Sequence, residues 1–180
     1  MLRPAVFLDR DGTLVEDRGL LARPSDVVFY PDTFEALGRL QARFALFIVT
    51  HQPWVARGVV TLDQVDRVNA SILAHLAQEG VIVAEAYVCP HNREDRCHCI
   101  KPRPYFLEKA AKDHSIDLRR SFTVGDHPHD VEFARSVGAR GVYVRTGHGE
   151  THVNELAPEE IVTSGISEAA DWILANSQGL

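Results

Sequence analysis

The sequence has no apolar run approaching the roughly 20 residues that cross a bilayer as a helix. It also lacks an excess of positive charge: 19 Lys and Arg stand against 25 Asp and Glu, a net charge of −6. The first absence excludes an integral helical membrane protein. The second removes the basic stripe on which a nucleic-acid surface depends, because that affinity comes from neutralising phosphates. Cysteine is sparse as well. The three cysteines, an odd number, all lie between Cys89 and Cys99, which points to metal binding over a disulfide framework. Met1-Leu2-Arg3-Pro4 leads straight into Ala5-Val6-Phe7-Leu8, with no apolar leader and small-residue cleavage site, so a cytoplasmic location is the expectation. A small phosphorylated metabolite stays compatible with the acidic balance, since one divalent cation and one lysine can reverse the field inside a cleft.

What is present suits one folded domain over residues 1–180. Hydrophobic residues make up 45% of the chain and charged residues 24%, enough apolar material for a core without cross-links. Short apolar runs at 5–8, 45–49, 86–88, 121–124 and 141–144 read as buried strands, and amphipathic patterns at 33–42, 62–79, 104–113 and 129–137 as helices. A short apolar-faced helix is expected around 169–174. This alternation predicts an α/β fold with a parallel sheet of about five strands, covered by helices on both faces. Ligands in such folds gather beyond the carboxyl ends of the strands, where Asp9, Asp11, Thr50 and Asp126 fall. Residues 15–32, with Gly19, Pro24, Pro31 and no periodicity, read as a long loop able to shield the site.

Asp9-Arg10-Asp11-Gly12-Thr13 places two carboxylates where the first strand leaves the sheet, and Gly12 allows a tight turn. One carboxylate can attack phosphorus, and the other can protonate the leaving oxygen and later deprotonate water. Such oxygen ligands also suit Mg²⁺; a plain turn and helix cap is the alternative. Cys89-Pro90-His91 and Cys97-His98-Cys99 give the pattern C-x-H-x₅-C-x-C. Three thiolates and one imidazole suit a closed, structural Zn²⁺ site, with His98 as a substitute ligand that would leave one cysteine unused. Within a loop at 89–103, this clip is expected to fix the segment that presents Lys101.

Phe7-Leu8-Asp9-Arg10-Asp11-Gly12-Thr13-Leu14 resembles the first signature of the haloacid dehalogenase (HAD) superfamily, here of the kind grouped as subfamily IIIA. Thr50, Lys101 and Gly125-Asp126 with Asp130 follow in the order of its other signatures. The resemblance implies a Rossmann-like HAD fold with a minimal cap, Asp9 as nucleophile and Asp11 as general acid/base. It implies Mg²⁺ held by the Asp9 carboxylate, the Asp11 carbonyl and Asp126. Thr50 and Lys101 would handle the phosphoryl group. Asp130 would orient Lys101 or a metal-bound water, or equally steady the first turn of the next helix. His51, Gln52 and Arg57 are the further candidates for substrate binding.

The zinc loop is similar to those of the heptose-bisphosphate phosphatases and the histidinol-phosphate phosphatases. Trp54-Val55-Ala56-Arg57-Gly58 and Val144-Arg145-Thr146-Gly147 favour the former. The expected activity is a Mg²⁺-dependent phosphomonoesterase working through an aspartyl-phosphate on a sugar phosphate, by a protein that acts as a monomer. Histidinol phosphate is the alternative substrate, and a catalytically silent binding module the alternative of another class. Three departures bear on substrate. Thr50-His51-Gln52-Pro53-Trp54 stands for the usual Thr-Asn-Gln-Ser-Gly, Ile100 for an arginine, and His127 for a common lysine. His51, His127 and His129 either line an altered pocket or are solvated.

Overall fold

The computed structural model describes residues 2–177. Its main elements follow in chain order: β1 (Ala5–Leu8), α1 (Thr33–Gln41), β2 (Ala45–His51), α2 (Leu62–Gln78), β3 (Val83–Cys89) and α3 (Tyr105–His114). Then come β4 (Phe122–Gly125), α4 (Pro128–Arg135), β5 (Arg140–Val144), the short α5 (Gly149–His152), β6 (Ile161–Thr163) and α6 (Ile166–Asn176). All strands are parallel, in the order β3-β2-β1-β4-β5-β6. The chain builds outward from β1 to β3, then returns to lay β4 against the other side of β1. The reversal opens a crevice at the carboxyl ends of β1 and β4.

The apolar strand runs follow from burial on both faces. Val6 and Leu8 of β1, with Leu46, Ile48, Phe122 and Val124, pack against Leu37 and Leu40 of α1, Val68 and Ile72 of α2, and Ala170 and Ile173 of α6. Ala5 and Phe7, with Phe47 and Val49, face Phe106, Leu107 and Ala110 of α3 and Phe133 of α4. Alternate residues of one strand thus feed two cores. Local signals set the ends of the elements. The Thr61 hydroxyl accepts the Gln64 N–H at 3.2 Å and Gln64 Oε1 returns to the Thr61 N–H, starting α2 as a capping box. Pro128 opens α4, where a missing N–H costs nothing. Among the described residues no helix is long and apolar enough to cross a membrane.

The sheet has six strands where about five were expected. The added one, β6, is three residues at the sheet edge, with Ile161 and Val162 only half-buried, too short to show a pattern. At the opposite edge β3 runs from Val83, although its apolar signal begins at Ala86, because Ala84 and Glu85 lie toward solvent or half-buried. Residues 15–32 are the expected irregular loop with one 3-10 turn at Pro24–Asp26; Leu21 anchors it in the core.

Gly141 of β5 lies so close to α4 that an added Cβ would sit 2.7 Å from the Val131 Cα. Gly141→Ala must therefore push helix from sheet, and overpacking of this kind should cost about 1–3 kcal/mol. A chemical-denaturation midpoint equal to that of the wild type would refute this.

Candidate active site

The crevice between β1 and β4 holds the first carboxylate. The Asp9 N–H donates to the Val124 carbonyl at 2.8 Å, carrying the pairing of the two strands one residue past β1. Its side chain meets Lys101, whose Nζ lies 2.5 Å from Asp9 Oδ1, 2.6 Å from Asp130 Oδ1 and 3.1 Å from the Val49 carbonyl. All three ammonium protons are thereby committed. Burial opposes the charge on Lys101, but the carboxylates of Asp130 and Asp9 outweigh it and hold the group protonated above its ordinary range. Asp130 does both things considered for it, since its second oxygen accepts the His127 N–H at the start of α4 (3.2 Å).

Asp11 is gripped from two sides. Arg10 Nε and Nη2 form a fork on its two oxygens at 2.9 and 2.7 Å, and Gln52 Nε2 donates to Oδ2 at 2.7 Å. Arg10 is 1% exposed, and its remaining arm donates to Asn69 Oδ1 on α2 at 2.7 Å. The same Gln52 amide reaches Thr50 Oγ1 at 2.9 Å, which leaves the threonine proton available to an incoming oxygen. Gln52 therefore links the candidate acid/base to the end of β2.

Asp126 closes the third side. Its Oδ2 accepts the His148 N–H at 2.8 Å. Gly12, at φ +79°, lets it approach, because a Cβ there would sit 2.0 Å from that oxygen. Burial, then the charges of Asp9 and Asp130, pushes the Asp126 carboxyl up to about 8. Burial likewise pushes Asp9 up to about 7 although Lys101 pulls the other way. Three buried carboxylates face one ammonium, an imbalance that a divalent cation between Asp9 and Asp126 would remove. The oxygen donor set fits Mg²⁺.

The Cys/His cluster comes together as its spacing suggests. The ligand atoms of Cys89, His91, Cys97 and Cys99 all lie within 4.8 Å of one another. Sulfur–sulfur separations are 3.3, 3.6 and 3.7 Å, and Cys99 Sγ is 3.3 Å from His91 Nδ1. Tetrahedral bonds of about 2.3 Å to sulfur place ligands about 3.8 Å apart, so the cage is close to the size zinc requires. His98 packs its ring against Tyr105 instead, centroids 4.4 Å apart.

A cavity of about 350 Å³ joins Asp9, Asp11, Thr50, Lys101 and Asp126 to a mouth formed by Trp54, Arg93, His127, His129 and His148. His51 and Gln52 also line it. Asp17 and Gly19 of the 15–32 loop form part of the wall, and Trp54 Nε1 donates to the Gly19 carbonyl at 3.0 Å. Burial lowers His127 to about 4. Arg57 is the candidate that falls outside. Its guanidinium lies over the Trp54 ring, 5.1 Å from the centroid, and donates to Asn92 at 3.1 Å. His51 lines the cavity, but its Nε2 meets the His91 carbonyl at 2.7 Å. Sequence reasoning missed Arg10, whose role depends on a partner 59 residues away, and Arg93, whose only signal was a positive charge inside the metal loop.

The chain is similar to known proteins over most of its length. A HAD-hydrolase-like family model matches residues 98–169. A probable D-glycero-D-manno-heptose-1,7-bisphosphate 7-phosphatase of Thermoplasma volcanium is 36% identical, over 73% of this chain and 92% of its own. The D-glycero-beta-D-manno-heptose-1,7-bisphosphate 7-phosphatase of Yersinia pestis is 34% identical over 95% of this chain and 89% of its own. A crystal structure of D,D-heptose 1,7-bisphosphate phosphatase from B. bronchiseptica, complexed with magnesium and phosphate, superposes with a TM-score of 0.87 at 28% identity, covering 96% of this chain and 98% of that one.

Two outcomes follow from the site. Asp9 and Asp126 bind their protons more tightly folded than unfolded, so without metal they subtract stability as pH rises from 3.8 toward about 8. Added Mg²⁺ should therefore raise Tm more near pH 8 than near pH 5, where protons compete for the same oxygens. Equal increments at both pH values, or the same dependence in an Asp9→Asn/Asp126→Asn variant, would sink this. Chelation of zinc should lower Tm and slow phosphate release together, because Lys101 lies two residues beyond Cys99. An unchanged melting curve or turnover after measured zinc loss would refute it.

Proposed function

The chain belongs to the family of HAD-like phosphatases that includes the heptose-bisphosphate phosphatases, and we propose that it removes a phosphate from a sugar bisphosphate of the D-glycero-D-manno-heptose 1,7-bisphosphate type through an aspartyl-phosphate on Asp9. The observation that supports this most is the buried Lys101 ammonium, touching both Asp9 and Asp130 at the switch point of the sheet. That contact holds the nucleophilic carboxylate in one orientation and supplies positive charge where the phosphoryl oxygens gather it.

Asp9 attacks phosphorus, and the ester oxygen departs with a proton from Asp11. Water, deprotonated by Asp11, then attacks the aspartyl-phosphate, releasing inorganic phosphate and restoring both carboxyl groups. Arg10 and Gln52 keep Asp11 beside the leaving oxygen, and Thr50 donates its hydroxyl to the phosphoryl group. Magnesium held by Asp9, Asp126 and the Asp11 carbonyl would keep Asp9 ionised and neutralise charge on the phosphoryl oxygens. The zinc clip is structural, since its four protein ligands leave no open position. Substrate reaches the site past the loops carrying Gly19, Trp54 and Arg93, the role a minimal cap requires.

Hydrolysis of an aryl phosphate with Mg²⁺ present tests the chemistry. Asp9→Asn should lower kcat on the order of a thousandfold or more. Equal rates would refute the mechanism, and no activity in the wild type would favour a silent binding module. The ratio of kcat/KM for heptose bisphosphate to that for histidinol phosphate tests the substrate, and a ratio below one would overturn that reading.

A further inference from the structure

We infer that Arg93 anchors a second anionic group of the substrate, so that the cavity mouth is a subsite for the distal phosphate of a bisphosphorylated sugar. The inference rests on the phosphatase reading above and adds to it the residue that recognises the phosphate left on the sugar.

The cavity has two cationic side chains of fixed charge in its lining, Lys101 at the floor and Arg93 at the mouth. Lys101 is fully engaged by Asp9, Asp130 and the Val49 carbonyl, and serves the reacting phosphate. Between the two cations the wall includes Ile100, which offers no charge. The imidazoles of the lining already have partners. His51 is on the His91 carbonyl at 2.7 Å, His129 on Glu132 at 3.2 Å and His148 on Asp17 at 3.1 Å. His127 is stacked on His129, centroids 4.6 Å apart. Among the described residues the Arg93 guanidinium alone in this lining has no hydrogen-bond or ion-pair partner, and its fork suits a phosphate. Its acidic chain neighbours turn away, since Asp95 accepts the Asn92 N–H at 2.8 Å and neither Asp95 nor Glu94 lines the cavity, while Asp17, which does line it, is engaged by His148 at 3.1 Å.

The loop beneath Arg93 is tied down. The residue starts the 3-10 turn Arg93–Asp95, between the zinc-cage residues His91 and Cys97. Its neighbour Asn92 is held by Arg57, and His91 by His51. A guanidinium carried on a fixed loop loses little backbone freedom on binding, so the charge converts efficiently into affinity. It also repels a substrate whose far end is an amine.

The test is calorimetric titration of fructose 1,6-bisphosphate and fructose 6-phosphate into the zinc- and magnesium-loaded Asp9→Asn protein, alone and combined with R93Q, R93K or K112Q. The bisphosphate should bind about ten- to a hundredfold more tightly than the monophosphate. R93Q should bring that ratio near one, R93K should keep part of it, and K112Q, at an exposed lysine of α3 outside the cavity, should keep all of it. Equal zinc content across the variants guards against a collapsed loop. A ratio near one without further substitution, a ratio untouched by R93Q, or a ratio lost in K112Q instead would overturn the inference. Phosphate release in the Asp9→Asn background would condemn the mechanism on Asp9, while the affinity ratio would still decide the role of Arg93 by itself.

Discussion

A buried ammonium shared by two carboxylates is the contact from which the rest of the site takes its shape. Lys101 and Asp130 are almost fully buried, and Asp9 nearly so. Desolvating such charges costs several kcal/mol each, and removing one partner typically costs about 3–5 kcal/mol because the others are left unpaired. The arrangement holds only because independent elements bring the charges together: Asp9 follows the last residue of β1, Asp130 lies in the first turn of α4, and the segment after the Cys/His loop supplies Lys101. With Asp126 included, the carboxylates still outnumber the ammonium. That residual charge turns the crevice into a place for a divalent cation and for a phosphate bound to it.

The metal loop answers a mechanical need of this contact. Lys101 must reach the sheet from a stretch with little apolar side chain of its own, since residues 92–98 are largely exposed or half-buried. The cage of Cys89, His91, Cys97 and Cys99 gathers that stretch at the end of β3, and Cys89 and Cys99 are themselves buried in the core beneath α3. The ligands therefore connect the core to the loop, and the loop to Lys101 and Arg93. An ion held by these four ligands would govern two cations, Lys101 at the floor of the cavity and Arg93 at its mouth.

Much of this was legible in the sequence, for physical reasons. Strands buried on both faces carry unbroken apolar runs, so β1, β2, β4 and β5 stood out, and the polar residues after them marked the crevice. Edge strands obey a weaker rule, which is why β6 left no trace and β3 looked short. Motif resemblance located Asp9, Asp11, Thr50, Lys101 and Asp126 but could not tell one arginine from another. Arg57 belongs to the resembling segment, yet Trp54 and Asn92 hold it on the outer surface. Arg10 reads as the filler between two aspartates until the fold brings Asn69 of α2 against it.

His51 shows how a departure from the usual motif can leave the arrangement of the site intact. Where an asparagine would offer an amide at the end of β2, the imidazole is long enough to span to the metal loop. Its Nε2 sits 2.7 Å from the His91 carbonyl, and that acceptor requires a proton on Nε2. Burial lowers the pKa of the ring, so the neutral Nε2–H tautomer satisfies the contact without placing another charge in the cavity. The end of β2 is thereby joined to the Cys/His cluster by a second connection besides the Gln52 N–H on the Cys89 carbonyl at 2.8 Å. Two such links across β2 and β3 make the position of the loop a property of the sheet, so a substitution at His51 acts on the loop at the mouth of the cavity more than on Asp9 and Asp11.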